Sequence, residues 1–419
     1  MQIYYAYALL VVNFIMVKAE ARIPSTLPEL LSYADKNNIP AQEKLSQLPA
    51  LEGQKKTAEA FFFNNPEIAY SNGLRKNTAD NPDSVNQHEW EISLSQTLEI
   101  AGQQEYRREV AGLSRKVYEA EFEAVRNRVR MDVAVLYYRL LILQEKARLE
   151  NEAVQLFTQT EMVVRKQLKA GEATRMALNL AFIERQLALN AQLKAIQELA
   201  VTKTELARLL SASADDIPVM TGKLNNIASR PAYTLASLNE SLKTNPDLTA
   251  QAWKVKAAEA SLMLQKAARV PDVTLGISYA NDGPSDYRES LTTFSISVPL
   301  PLFQHNETEQ GLAAAELSLN KTTLNALRHD QQEMLKNLWL RMESLKERSL
   351  ALNADMSPVL ERNKLLARYS RDAGETDISA ELLASQQAVN AQRSRLDILL
   401  EYHITRLTLE DLAGWREQS

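Results

Sequence analysis

Apolar and polar positions along the chain follow three patterns. Four short segments alternate one for one. In Glu89–Leu98, Trp90, Ile92, Leu94 and Leu98 fall on one side of an extended backbone, with Glu91, Ser93, Ser95 and Thr97 on the other. Asp272–Tyr279 sets Val273, Leu275, Ile277 and Tyr279 against Asp272, Thr274, Gly276 and Ser278. Thr292–Val298 sets Phe294, Ile296 and Val298 against Thr293, Ser295 and Ser297, and Pro66–Leu74 does so more weakly with Ile68 and Tyr70. These segments predict strands at about 66–74, 89–98, 272–280 and 291–298. Elsewhere apolar residues recur in steps of three and four: Val129, Val133, Leu136, Leu140, Leu143, Ala147, and again Ala195, Leu199, Thr202, Leu206, Leu209. That spacing predicts long helices packed as antiparallel coiled coils. The run over about 103–168 holds no proline and only Gly112, and at ~1.5 Å per residue it extends ~100 Å. A second, about 304–370, has Gly311 near its start and Pro358 as its interior breaker. Shorter helices, about 41–62 and 237–268, lead into the strand pairs. The third pattern is the unbroken apolar run Ile3–Val17 followed by Ala19-Glu20-Ala21. It is too short to span a bilayer as a helix and reads as a signal peptide over 1–21.

The patterns recur. Ala170-Gly171-Glu172 returns as Ala373-Gly374-Glu375, and holding that offset of 203 from 170 to 209 gives twelve identities, including Leu180/Leu383, Leu193/Leu396, Thr202/Thr405 and Leu206/Leu409. Ordinary residue usage would give about three. Asn65-Pro66-Glu67-Ile68 answers Val270-Pro271-Asp272-Val273, so the strands repeat with the helices. The chain reads as a tandem duplication: repeat 1 over 22–225 and repeat 2 over 226–419, each running helix, strand, strand, long helix, Gly turn, returning helix.

Composition narrows the chemistry. The 419 residues carry 48 Lys+Arg and 53 Asp+Glu, a net charge of −5, which argues against a nucleic-acid partner. No cysteine is present, which removes disulfides, thiolate metal sites and a Cys-borne lipid anchor. The four histidines, at 88, 305, 329 and 403, have no zinc-site spacing. His403 falls on the packed stripe and reads as a core-edge side chain; His305 beside Glu307 and His329 beside Asp330 are the positions where a passing cation would be touched. No nucleophile–base set or Gly-rich phosphate loop is present, so no catalysis, cofactor or resident metal is expected. Arg126, Arg128 and Arg130 read as a solvated helix face.

Small polar residues on one strand face and apolar ones on the other suit a membrane barrel strand, and equally a half-buried soluble sheet. The leader and the very long helices favour the barrel. Four strands cannot close one, and an open edge in lipid leaves backbone groups unpaired. The barrel must then be shared between chains, with eight strands from two copies or twelve from three. The turn-rich loops at 77–86 and 281–286 would lie on its far side.

A leader, a duplicated strand–strand–long helix–Gly–helix unit and four strands resemble the TolC family of outer-membrane efflux ducts. The resemblance covers essentially the whole chain after Ala21. Its most specific marks are Asn245-Pro246-Asp247-Leu248, Ser297-Val298-Pro299-Leu300-Pro301-Leu302-Phe303 and the two Ala-Gly-Glu turns. Trp90–Gln103 is similar to the heavy-metal cation (Czc-type) branch. The resemblance implies a mainly α fold with a small β part: a homotrimer whose coiled-coil helices form a periplasmic tunnel and whose strands share a twelve-stranded barrel in the outer membrane of a Gram-negative cell. It further implies a periplasmic adaptor (membrane-fusion) protein and an inner-membrane resistance-nodulation-division pump as partners. The chain would be a passive exit duct for divalent heavy-metal cations. A duct for drugs or type I protein secretion, and a periplasmic coiled-coil scaffold with a soluble sheet, are the competing readings.

On the duct reading Trp90, Ile92, Leu94, Val273, Leu275, Ile277, Tyr279, Phe294, Ile296 and Val298 face lipid, and Gly102, Pro299 and Pro301 mark the junction of barrel and tunnel. Gly171 and Gly374 are helix C-caps at the periplasmic tip. Around them Glu172, Arg175, Arg368, Arg371, Asp372, Glu375, Asp377 and Glu381 are either surface charges or, repeated round an axis, a ring that gates and docks. In the family an Asp often stands six residues after the turn glycine; Ala177 and Ala380 stand there in this chain.

Overall fold

The computed structural model describes residues 23–75, 87–222, 224, 227, 233–282, 287–373 and 378–415. The leader, the 77–86 loop and Gly374, Glu375 and Asp377 lie outside the described residues. Of the 281–286 loop, Asn281 and Asp282 instead end a strand. The elements are α1 (Leu27–Asn37), α2 (Ile39–Leu45), α3 (Leu48–Glu59), β1 (Glu67–Arg75), β2 (Gln87–Leu98), α4 (Gln103–Ala170), α5 (Arg175–Leu209), α6 (Leu235–Leu242), α7 (Pro246–Ala267), β3 (Val273–Asp282), β4 (Glu289–Ser297), α8 (Glu307–Leu350), α9 (Ser357–Asp372) and α10 (Ile378–Ala413). The fold is mainly α with a small β part, and α4 is a single 68-residue helix.

Three predicted helices are subdivided. The stretch expected at 41–62 is two helices, α2 and α3, and an unexpected helix, α1, precedes them from Leu27. Asn38 closes α1 and starts α2: its Nδ2 donates to Ala34 O (2.6 Å) and its Oδ1 accepts from Ala41 N–H (2.7 Å). The stretch at 237–268 breaks at Asn245, whose Oδ1 accepts from the N–H groups of Asp247 and Leu248, with Pro246 in the first turn of α7. In the 304–370 run Pro358 has no N–H to give, and its ring would meet the carbonyl four residues back. The backbone widens into a π-helical turn over Ala351–Met356, and both the N–H and the Oγ of Ser357 reach Leu352 O.

Contacts divide the chain into two units: 1–42, 125–238 and 334–419 in one, 43–124 and 239–333 in the other. Each draws on both halves of the sequence. The first unit is helical. Val129, Val133 and Leu140 of α4 pack with Leu206 of α5 and with Leu30 and Ala34 of α1, all buried as the three–four spacing requires. Ala153 and Phe157 of α4, Ala188 of α5 and Leu382 and Val389 of α10 form a second cluster. Arg393 of α10 grips the buried Glu150 of α4 with two nitrogens, at 2.7 and 2.5 Å. Arg126 and Arg130 do not form a bare solvated face: both reach Asp35 of α1. Their side chains rise from successive turns of α4, four residues apart, so one carboxylate serves both.

The second unit carries the sheet on a base of helices. Glu121 of α4 accepts from Lys44 (2.5 Å) and Lys254 (2.7 Å), and Gln104 Nε2 donates to the terminal carbonyls of α3 at Ala58 and Ala60. The four strands form one antiparallel sheet in the order β1-β2-β3-β4.

Candidate functional site: a two-faced sheet and the helical turns

The register fixes which side chains share a face. Ile68, Leu94, Ile277 and Phe294 form one row across all four strands; Tyr70, Ile92, Tyr279 and Thr292 form the next, and Gln96, Leu275 and Ile296 another. The opposite face carries Glu67, Ser95, Gly276 and Ser295, then Ala69, Ser93, Ser278 and Thr293, then Thr97, Thr274 and Ser297. The sequence alternation thus becomes two continuous surfaces, one apolar and one hydroxyl-rich. Trp90 joins the apolar surface, its ring 5.7 Å from that of Tyr279. Thr97 and Thr274 share a hydrogen bond at 2.8 Å on the polar side. Gly276 is the small member of its row because a Cβ there would lie 2.5 Å from Ser295 Oγ. Val298 falls one residue beyond β4: Pro299 and Pro301 supply no N–H, so the ladder stops at Ser297.

No helix among the described residues covers the apolar surface: Phe294 is 80% exposed and Ile296 75%. A soluble half-buried sheet hides this face against a core. The outer edges of β1 and β4 have no partner strand among the described residues.

Two connections join sheet to helix. Gly102, at φ +77°, precedes α4, and its carbonyl accepts from Glu105 and Tyr106. Nothing lies within 4 Å of a Cβ placed there, so backbone conformation alone requires glycine. At the matching point before α8 stands Asn306, also left-handed at φ +62°, its Nδ2 donating to Gln265 O at 2.9 Å. The sequence reading missed it, since asparagine tolerates this conformation without announcing it. Pro299 and Pro301 lie between β4 and α8. His305 donates its N–H to Glu307 Oε2 (2.8 Å) and sets Nδ1 3.0 Å from Oε1, so the pair forms a local helix-start contact.

At the first helical turn Gly171 has φ +82°. Its N–H reaches Leu168 O (3.1 Å) and that of Glu172 reaches Gln167 O (2.8 Å), a paired closure of α4. Thr174 then caps α5 through Ala177 N–H. Glu172 and Arg175 are exposed. The strongest charge contact nearby was not anticipated: Glu161 of α4, almost buried, accepts from Arg165 (2.5 Å) and from Arg185 of α5 (2.6 Å). Burial pushes its carboxyl up, but the two guanidinium hydrogen bonds outweigh that and hold it below its ordinary value. Its partner on α5 lies 24 residues on, a distance no local motif signals. At the second turn Arg368 is exposed, while Arg371 of α9 donates to Glu381 of α10 across the turn. Asp372 ends α9. Among the described residues no group of three His, Asp or Glu side chains is placed to hold a metal ion.

His403 is buried on α10, stacked on Tyr138 of α4 with ring centroids 4.2 Å apart and 8° between planes. Burial, then the charge of Arg406, lower its pKa to about 4, so the imidazole is neutral at pH 7.

Residues 237–415 match the Outer membrane efflux protein family. Over 292 residues the chain is 23% identical to the cobalt-zinc-cadmium resistance protein CzcC of Cupriavidus metallidurans, a match spanning 69% of this chain and 66% of that protein. Among solved structures it is similar to CusC, described in terms of folding and transmembrane channel formation, at 17% identity over 93% of this chain and 92% of that one, with a TM-score of 0.77. It is likewise similar to the outer membrane protein VceC of Vibrio cholerae, at 18% identity, 93% and 96% coverage and a TM-score of 0.76. Residues 237–415 thus match the Outer membrane efflux protein family in sequence, and the chain shares the fold of the channel CusC and the outer membrane protein VceC.

Proposed function

We propose that the chain is the passive exit duct of a tripartite efflux system, and that three copies close one twelve-stranded barrel in the outer membrane. The carrying observation is the sheet: an exposed apolar face, a hydroxyl-rich face and two edges without partner strands among the described residues. In hydrocarbon such edges are tolerated only when paired, and another copy of the same sheet supplies the pairing. The apolar row from Trp90 to Phe294 then meets lipid and the Ser/Thr row lines water. The leader at 1–21 directs export, and 22–225 and 226–419 are two copies of one unit, a reading supported by the same order of strands, long helix and returning helix in each. The helical turns at Gly171 and Gly374 form the periplasmic tip, where a membrane-fusion adaptor and a resistance-nodulation-division pump dock and where Glu172, Arg175, Arg368, Arg371, Asp372, Glu375, Asp377 and Glu381 gate. If Glu381 helps hold the tip closed, Glu381→Gln will raise single-channel conductance in planar bilayers; unchanged conductance would make it a surface charge.

Divalent heavy-metal cations are the cargo. The likeness to a cobalt-zinc-cadmium resistance protein supports this, as do the carboxylates of Glu67, Glu89, Glu91 and Glu289 on the water-facing side of the sheet. The duct moves cargo without catalysis. Deleting the gene and growing the strain on cobalt, zinc and cadmium salts, drugs and bile salts tests the reading. Lowered tolerance confined to the metals is expected; lost tolerance to drugs or bile salts alone would contradict the cargo.

A further inference from the structure

The end of the sheet nearest the helices carries an apolar belt, of which the helices cover only one face of Phe63, with the Arg107 guanidinium of α4 3.5 Å from its ring centre. Before β1 stand Phe61, Phe62 and Phe63; after β4 stand Leu300, Leu302 and Phe303. Phe61 is 86% exposed and Phe303 93%. The two triplets lie at opposite lateral edges of the sheet but at the same end of it, because β1 begins where β4 finishes.

We infer that these two triplets are the halves of a dry seam between neighbouring copies: Phe61–Phe63 of one chain pack against Leu300–Phe303 of the next. The inference rests on the shared-barrel reading above and names a contact below the strands that closure of the barrel does not itself require. The register carries it. Glu67, Ser95, Gly276 and Ser295 form one straight row. Continuing that row into the next copy sets its Glu67 opposite Ser295. Beyond that row the segment before β1 and the segment after β4 leave the sheet at the same end, so Phe61–Phe63 of one copy and Leu300–Phe303 of the next flank one shared edge. A barrel stagger slides the pairing by a few residues and leaves the triplets beside each other.

The chemistry fits a protein contact better than a membrane surface. With Pro299 and Pro301 two residues apart, one edge of this segment offers no N–H at either position, so it docks through side chains and not by lengthening the ladder. Leu302 N–H is already turned back onto Leu300 O at 2.9 Å. Residues that sit among lipid headgroups are typically Trp and Tyr, with an apolar body and a polar tip. This belt has Phe and Leu alone, the composition of a water-free interface core.

The chain has no native cysteine, so pairs can be introduced cleanly. Full-length Phe62→Cys/Leu300→Cys and Phe63→Cys/Phe303→Cys variants, oxidised or treated with a short bis-maleimide in native membranes, are expected to give covalent dimers and trimers on denaturing gels. Each single variant should remain monomeric there. The oligomeric state of the same samples is measured by light scattering in mild detergent. A trimer that yields no covalent species from any pairing of 61, 62 or 63 with 300, 302 or 303 would overturn the seam and leave the shared barrel standing. Quenching by brominated lipid of a fluorophore attached to the Phe62→Cys single variant, without cross-linking in the paired variants, would assign the belt to the membrane instead. A monomer by scattering would overturn both readings.

Discussion

His403 shows what one buried side chain contributes to a helical packing. Its Nε2 has no hydrogen-bond partner among the described residues, and its ring is held by stacking on Tyr138 and an edge contact with Tyr402. In the unfolded chain the imidazole binds a proton near its ordinary value of 6.5, whereas in the fold it resists protonation down to about 4. The unfolded state therefore binds more protons between those values, and stability present above pH 6.5 is lost as pH falls towards 4. The full difference is on the order of 3 kcal/mol. His403→Phe keeps the stacking and removes the proton. Its stability against denaturant should change less between pH 6.5 and 4 than that of the parent chain; equal acid sensitivity would show that the imidazole does not titrate with unfolding. The burial of His403 was legible from its place four residues after Leu399 and four before Leu407. The Asp35 partner of Arg126, the Arg185 partner of Glu161 and the Glu381 partner of Arg371 were not, because each lies on another element and single-sequence spacing carries no signal for it.

Among the elements, the strands were the most legible, since period two survives into the register almost unchanged. Gln96 and Thr292 intrude on the apolar face, Leu291 on the polar one. Boundaries moved by one to two residues, with β3 continuing through Asn281 and Asp282 and β4 stopping before Val298. The long helices were legible in extent but not in subdivision, and α1 was not anticipated: Pro358 announces a break, while a π turn just upstream of it depends on how the freed carbonyls find new donors. The two-faced sheet makes a paired test. Ile296→Arg places a charge on the apolar surface and should cost about 2–4 kcal/mol near mid-bilayer, impairing assembly. Ser295→Arg projects from the polar surface over Gly276, where no side chain stands, and should insert normally and narrow the pore. Both are read by heat-modified gel mobility and conductance; equal tolerance of the two would mean that the sheet does not lie in a membrane.

At the scale of the whole molecule, the chain's two compact units each borrow from both sequence halves. The fold class followed from pattern and length together; the cargo did not, because no side-chain cluster among the described residues selects an ion. On the shared-barrel proposal, the described strands need partners for their outer edges. Four strands with an exposed apolar face have no closed solution alone, and the same argument that requires a second copy favours a ring in which every β1 meets a β4. The most direct test is the mass of the detergent-solubilised assembly by native mass spectrometry. The account predicts a single species of three copies, stable to dilution in mild detergent. A monodisperse monomer of one chain, folded and with its sheet intact, would contradict it.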